Sequence, residues 1–292
     1  MNDSYKGEGS YRGNRNAPKI TCIGGGTGLS TMLRGLKQYT ANINAIVTVA
    51  DDGGGSGMIR SELGMLPPGD IRNCLLALSN AEPLMNRLLN YRFEGGSLAG
   101  QCFGNLFIAA MNGISDSFDQ AVLRMSDVLA ITGRVLPVTN EDIRLVAKFE
   151  NGEAVVGESK IAEVKKSTDC RISHIELIPQ SPNALEKSLD VIRHSDMLVF
   201  GPGSLYTSII PNLLVDGICE AVAESDALKI YVCNIMTQDG ETEEYTAYDH
   251  VKAIFEHSKC KIFDICLCNG GQINPVFLER YGLEGSKPIV VD

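Results

Sequence analysis

Five stretches of this 292-residue chain combine glycine with small polar residues in a way that suits phosphate recognition. They are Gly24-Gly25-Gly26-Thr27-Gly28, Asp51-Asp52-Gly53-Gly54-Gly55-Ser56-Gly57, Gly201-Pro202-Gly203-Ser204, residues 234–242 (NIMTQDGET) and Asn269-Gly270-Gly271. Each follows a short apolar or β-branched run, so all five are expected at the carboxyl ends of strands. A glycine run entering a helix presents bare N–H groups and the positive end of the helix dipole, which suits an anion. Any one such loop is also an ordinary turn, because glycine is the default turn residue. Five on one sheet edge favour a phosphate-bearing ligand, since ligands of open α/β sheets bind outside those strand ends.

The first loop matches two standard fingerprints only in part. A P-loop needs Lys after its last glycine, and Leu29 stands there. The dinucleotide pattern GxGxxG finds Gly24 and Gly26 but meets Leu29 in the third place, with Asp51 and Asp52 positioned for a ribose hydroxyl. Asp-Gly pairs also make turns, and Asp70 in Pro67-Pro68-Gly69-Asp70-Ile71-Arg72-Asn73 also suits a helix cap. The sharper alternative makes Asp52 and Asp70 a carboxylate pair for a divalent ion such as Mg²⁺ on ligand phosphates. Arg72 falls in the first helical turn, where the dipole disfavours a cation, and a bound anion accounts for it. Asn234, Thr237 and Gln238 are candidates for base, ribose or sugar contacts. Ser204 lacks the nucleophile elbow and reads as a cap or phosphate contact. His174, His194, His250 and His257 form no constellation and read as surface or structural groups. Zinc is not indicated, since Cys266 and Cys268 suit one face of a strand rather than a metal clamp.

The elements that must position these residues alternate between strand and helix. Strands are expected at Lys19–Ile23, Ile43–Ala50, Asp196–Phe200, Leu228–Ile235 and Ile262–Cys268. Helical spacing follows Gly28 through Leu29, Met32, Leu33 and Leu36, and recurs at Asp70–Ser79, Leu84–Phe93, Asn105–Asn112 and Phe118–Ala130. Residues 135–180 are expected to be mostly β, with strands at Leu145–Glu150, Glu153–Ser159 and Arg171–Ile178 and a type I′ hairpin at Asn151-Gly152. Ser181-Pro182 is expected to open the next helix. Repeated β-loop-α units predict an α/β, Rossmann-like three-layer fold with a mainly parallel sheet and a small β-rich excursion. Residues 1–18 read as a disordered tail and 19–292 as a single nucleotide-binding domain.

The net charge of −10 argues against broad nucleic-acid or acidic-membrane binding. No apolar run reaches the roughly 18 residues of a membrane span, and the polar amino-terminal stretch lacks an export signal. Nine cysteines, an odd number without a CxxC pair, suit reduced thiols in the cytoplasm.

Six motifs in order, GGGTGL, VTVADDGGGSG, LGMLPPGDIRN, FGNL, GPGSLYTSIIPNLLV and NIMTQDGET, closely resemble the bacterial gluconeogenesis factors (YvcK-like). These belong to the wider 2-phospho-L-lactate transferase (CofD-like) group, and the resemblance covers residues 19–292. It implies a Rossmann-like fold with a nucleotide site at the strand ends, to which Asn73 and Asn105 (in FGNL) also contribute. The transferase branch implies a divalent ion near Asp52 and Asp70. The gluconeogenesis-factor branch, whose PPGDIRN and NIMTQ forms stand here, implies a cytoplasmic UDP-sugar-binding regulator of cell shape and wall synthesis rather than an enzyme. Such a regulator acts through a protein partner that the sequence does not name, and a homo-oligomer is compatible with it. Two departures stand out: Gln101-Cys102 replace the usual His-Ser before FGNL, and Gly55 replaces the first serine of ADDGGSSG. Further residues are expected in this family after Asp292.

Overall fold

The computed structural model describes residues 17–81, 83–168, 170–259 and 262–292. Residues 1–16 of the expected tail lie outside them, whereas Ala17 is buried and its carbonyl accepts from Asn42 Nδ2 at 2.7 Å. The described chain begins with β1 (Ile20–Gly24) and α1 (Gly26–Leu36), then β2 (Ile43–Val47). Helices α2 (Gly54–Leu63), α3 (Gly69–Leu78), α4 (Pro83–Leu89), α5 (Phe103–Gly113) and α6 (Phe118–Val128) precede β3 (Arg134–Pro137). Next come β4 (Arg144–Phe149), β5 (Ala154–Val156), α7 (Glu158–Thr168) and β6 (Ile172–Ile178), and α8 (Glu186–Arg193) returns the chain to β7 (Met197–Phe200). A π-helical turn at Leu205–Ile209 runs into α9 (Ile210–Leu213) and α10 (Ile218–Glu224). The remainder is β8 (Leu228–Val232), α11 (Ala247–Ser258), β9 (Ile265–Leu267) and α12 (Pro275–Leu283).

Six strands form a parallel sheet in the order β3-β2-β1-β7-β8-β9. Strand β1 is central, and all five of its residues, polar Thr21 included, are buried, as expected when helices cover both faces. The order runs outward from β1 to β3 and then restarts at β7 on the other side. The topological switch point therefore lies between β1 and β7, and in such sheets the crevice there takes the ligand. A separate antiparallel sheet, β5-β4-β6, forms the excursion. Together these make the α/β, Rossmann-like architecture expected from the motifs.

Several local expectations change. The excursion contains α7, an 11-residue helix within what was read as continuous β structure, and β5 is only three residues long. Strand β3 belongs to the parallel sheet rather than to the excursion. The hairpin is not type I′: Phe149 N donates to Glu153 O, leaving a three-residue loop in which Gly152, with φ of +87°, takes the left-handed position. Helix α8 begins at Glu186, not at Pro182, which precedes an isolated bridge between Asn183 and Asp216. Helix α2 starts inside the DDGGGSG motif and was not foreseen, because three glycines mask its start. Gly57 lies in its first turn because a Cβ there would sit 1.9 Å from the Asp52 carbonyl oxygen.

Candidate functional site

At the switch point, the amino end of α1 and the loop after β7 meet over a cavity of about 420 Å³. The two loops touch: a Cβ on Gly28 would lie 2.6 Å from the Pro202 carbonyl oxygen, so only glycine permits this approach. Gly25, Gly26, Thr27 and Gly28 form one wall, with Gly203, Ser204 and Ser208 opposite. Asn234 and Gln238 close a third side, and Asp51, Asp70 and Glu158 supply the carboxyl groups. Gly24 and Gly201 carry the strand ends behind these loops, with Gly201 N donating to Ile23 O at 3.0 Å.

The polar side chains are held in place by one another. Asn234 exchanges two hydrogen bonds with the backbone of Gly203, donating Nδ2 to its carbonyl at 2.8 Å and accepting its N–H at 3.0 Å. Its amide thus splints β8 to the loop after β7. Ser204 Oγ donates to Gln238 Oε1 at 2.7 Å, and Gln238 N donates to Thr242 Oγ1 at 3.0 Å. Thr237 is buried against the carboxyl-terminal stretch, pairing with Lys287 through its backbone N–H at 2.7 Å and its hydroxyl at 2.9 Å.

The carboxylates divide differently from the expected pairing. Asp51, not Asp52, accompanies Asp70 in the cavity. Asp51 Oδ1 accepts the Gly53 N–H at 2.8 Å, which shapes the turn into α2, and Ser56 packs beneath it against Gly69. Asp52 faces the excursion, where its Oδ1 accepts the Ser159 N–H at 2.8 Å and so caps α7. Burial pushes the Asp70 carboxyl up to about 6, and the nearby Asp51 charge adds to this, while the Gly26 N–H and Arg72 pull the other way. Asp70 thus occupies the amino end of α1, the position reserved in the sequence reading for phosphate. Burial, with the charges of Asp51 and Asp70, lifts Glu158 to about 9 against a hydrogen bond from Thr207. Among the described residues no group of three or more His, Cys, Asp or Glu is placed to hold a metal ion.

Arg72, Asn73 and Asn105 form a neighbouring cluster. Arg72 Nη1 donates to Asn105 Oδ1 at 3.1 Å and Nη2 to Asn73 Oδ1 at 2.8 Å, joining α3 to α5. Two amide oxygens therefore hold the guanidinium that the sequence assigned to an anion, although its Nε is buried without a partner. Gly54 and Gly55 open α2. The two departures from the family pattern prove to be neighbours: a Cβ on Gly55 would lie 3.2 Å from Gln101 Oε1.

Sequence reasoning missed Glu158 and Glu241. Glu158 opens a helix that the β pattern concealed, and Glu241 was inside NIMTQDGET but undistinguished from a turn residue. Of the histidines, His194 is exposed, whereas His250 and His257 are buried in α11, with His257 Nε2 accepting the Ile175 N–H at 2.9 Å.

The family described as 2-phospho-L-lactate transferase CofD matches residues 20–292. The chain belongs to the CofD family. Within that family it is similar to a gluconeogenesis factor of Bacillus subtilis, 49% identical over 94% of this chain and 86% of the relative. A Thermoanaerobacterium thermosulfurigenes relative is 57% identical over 95% of this chain and 85% of its own length. In a Clostridium acetobutylicum relative, 54% identical over 94% of this chain, the match spans 61% of the relative. The crystal structure of a Bacillus halodurans protein superposes with a TM-score of 0.91 at 47% identity, covering 94% of this chain and 88% of that one. The CofD-family fold is thus shared along nearly the whole described chain. Among the described residues, no helix is long and apolar enough to cross a membrane.

Proposed function

We propose that the crevice binds a nucleotide-sugar, in first place a UDP-sugar, and that the protein is a cytoplasmic regulator needed for normal cell shape and wall synthesis during gluconeogenic growth. The observation that carries this reading is a glycine-walled cavity at the switch point of the sheet, between the loops after β1 and β7. Among the described residues its lining contains Asp51, Asp70 and Glu158 but neither Lys nor Arg, so the two aspartates would repel a bare diphosphate. A divalent ion such as Mg²⁺ resolves this, being held in such sites by one or two carboxylates together with ligand phosphates and water. Asp51 and Asp70 fit that part, since the charge of one already raises the proton affinity of the other and a cation would relieve both. When bound, the ion would neutralise phosphate charge. Backbone groups of residues 26–28 and Gly203 would then face the ligand, with Gln238 and Ser204 offering polar contacts to sugar or base.

The regulator reading is supported by the names of relatives such as the Bacillus subtilis gluconeogenesis factor. The second reading, a Mg²⁺-dependent transferase acting on a nucleotide-activated substrate, is favoured by the Asp51 and Asp70 pair itself. Titration calorimetry with UDP-N-acetylglucosamine, UDP-glucose, GDP and NAD, each with and without Mg²⁺, tests the first. Binding of a uridine ligand that strengthens with Mg²⁺ is expected, and none up to millimolar concentration would overturn it. Release of UMP or GMP from such ligands would establish the transferase instead.

A further inference from the structure

Three free thiols gather on one face of the parallel sheet at its β9 edge. Cys266 and Cys268 alternate along the strand and so project from the same face, with their Sγ atoms 3.5 Å apart. Cys233, one residue past β8, stands beside Cys268 in the register that pairs Val232 with Leu267, and its thiol is hydrogen-bonded to that of Cys268. Of the three, Cys268 alone lines a cavity of about 250 Å³, together with Asn234 and the Asn269-Gly270-Gly271 loop. Asn234 also lines the crevice, so these thiols stand at the edge of the candidate ligand site.

We propose that Cys266 and Cys268 form a reversible oxidation site, in which Cys268 meets hydrogen peroxide and Cys266 resolves the product to a disulfide. In the first step the Cys268 thiolate attacks one peroxide oxygen. An S–O bond forms, the O–O bond breaks, and the departing hydroxide takes up a proton as water. In the second step Cys266 attacks Cys268 Sγ; the S–S bond forms, the S–O bond breaks, and the hydroxide leaves as water with the Cys266 proton. Two thiols and one peroxide thus give one disulfide and two waters, the sulfurs being oxidised and the peroxide oxygens reduced. Alternate strand residues stand about 6.6–6.8 Å apart at Cα and disulfides span about 4.4–6.8 Å, so the bridge is within reach. Strand β9 is the last of the sheet and pairs on one side only, and Cys268 lies one residue beyond its last paired position. Closing the bridge therefore need not open the ladder. Burial pushes Cys266 and Cys233 up to about 12, so both stay neutral thiols while the oxidant is met at Cys268. Cys233 is 4% exposed and its thiol is also engaged by Tyr231, which leaves Cys266 as the resolving partner. In a thiol-rich compartment, disulfides of this kind are transient and redox-sensing.

The inference is separable from the nucleotide reading, because its test uses no nucleotide. The reduced full chain is treated with hydrogen peroxide at neutral pH, denatured, alkylated and digested for mass spectrometry, with free thiols counted in parallel. The peptide spanning Cys266 and Cys268 should escape alkylation and be lighter by two hydrogens, and dithiothreitol should restore both thiols. The fully buried Cys22 and Cys74 should remain alkylated and serve as the reference. Cys266→Ser removes the resolving thiol, so dimedone should then trap a sulfenic acid at Cys268 at about tenfold or more the level in the parent. Cys268→Ser should leave Cys266 reduced at the same dose of peroxide. Cys266 and Cys268 are both only half-buried, and the peptide map of the parent decides the matter should either variant not fold. A bridge from Cys233 to Cys268, sulfinic acid at Cys268 in the parent, oxidation of Cys22 or Cys74 as fast as that of Cys268, or an unmodified 266–268 peptide would each overturn the proposal.

Discussion

Asp51 and Asp52 are adjacent in sequence, chemically identical and turned to different neighbours. Asp51 lies in the crevice beside Asp70, and Asp52 caps α7 through the Ser159 N–H. The nucleotide reading therefore predicts that Asp51→Asn weakens Mg²⁺-dependent ligand binding in calorimetry by about 1–3 kcal/mol, the range for a charge-assisted contact. Asp52→Asn should leave that affinity unchanged, while Asp52→Ala should lower stability by about 1 kcal/mol in urea unfolding through loss of the cap. A reversed pattern, with Asp52→Asn the weaker binder, would return the site to the residue first expected. Gly55 and Gln101 give a second residue-scale test. Gly55→Ser places a side chain against the buried Gln101 amide, and replacing Gln101 by His in the same chain should alter its cost. The two stability changes should be non-additive by about 0.5 kcal/mol or more, and strict additivity would show that the two positions do not interact.

At the scale of elements, α7 shows what sequence patterning conceals. Its sequence, ESKIAEVKKST, carries few apolar residues to mark a helical face and lies between strand-forming segments. Tertiary contacts fix it instead. Asp52 caps its first turn, and Lys165, only 5% exposed, pairs with Glu243 at 3.1 Å. Because α7 carries Glu158, this helix brings the excursion onto the crevice. Lys165→Met should leave the Glu243 carboxylate partly buried without its cation and cost about 2–3 kcal/mol in denaturant unfolding, somewhat below a fully buried pair. A loss under about 0.5 kcal/mol would mean that solvent replaces the lysine. Loop chemistry follows the same logic. The Asn234 amide bonds twice to Gly203, so the loop after β7 is held by a side chain from β8's far end rather than by its own glycines.

For the whole molecule, the buried acids predict an unusual pH dependence. Burial lifts Asp70 to about 6, Glu241 to about 7 and Glu158 to about 9. A carboxyl whose proton affinity is higher in the folded state binds more protons there than in the unfolded chain. Its contribution is full below the unfolded carboxylate range and is lost as pH rises through the folded value. The melting temperature should therefore decline from about pH 5 to pH 9, and the Glu158→Gln/Glu241→Gln double variant should flatten that slope. The buried His250 and His257 act in the opposite sense, since burial lowers their proton affinity and their contribution is lost as pH falls below about 6.5. A parent melting curve that is flat between pH 6 and pH 9 would show that these carboxyls titrate normally. Excess Mg²⁺ with a uridine nucleotide should reduce the decline, because a ligand that binds the ionised crevice stabilises only the folded state.

What the sequence by itself determined is the layered α/β fold and the edge of the sheet that carries the site. Strand β1 reads as a mainly apolar, β-branched run, the five glycine-rich loops follow such runs, and both signals are local, set by strand period and turn chemistry. Glycine also marked the close approach of Gly28 to Pro202, although not which segment would approach. Only the tertiary structure decided which carboxylates share the crevice. Asp51 and Asp52 have indistinguishable local signals, and the direction of Asp52 depends on α7, more than 100 residues further along the chain. Glu158 and Glu241 acquire their chemistry from burial and from neighbouring carboxylates, Asp51, Asp70 and Glu241 for Glu158 and Glu243 for Glu241, which meet only once β7, β8 and the excursion have been brought together. The amino end of α1, open to an anion when read along the chain, is met in the fold by Asp70 from α3. Long-range packing thus turned a phosphate-seeking pattern into a crevice whose own charges call for a cation.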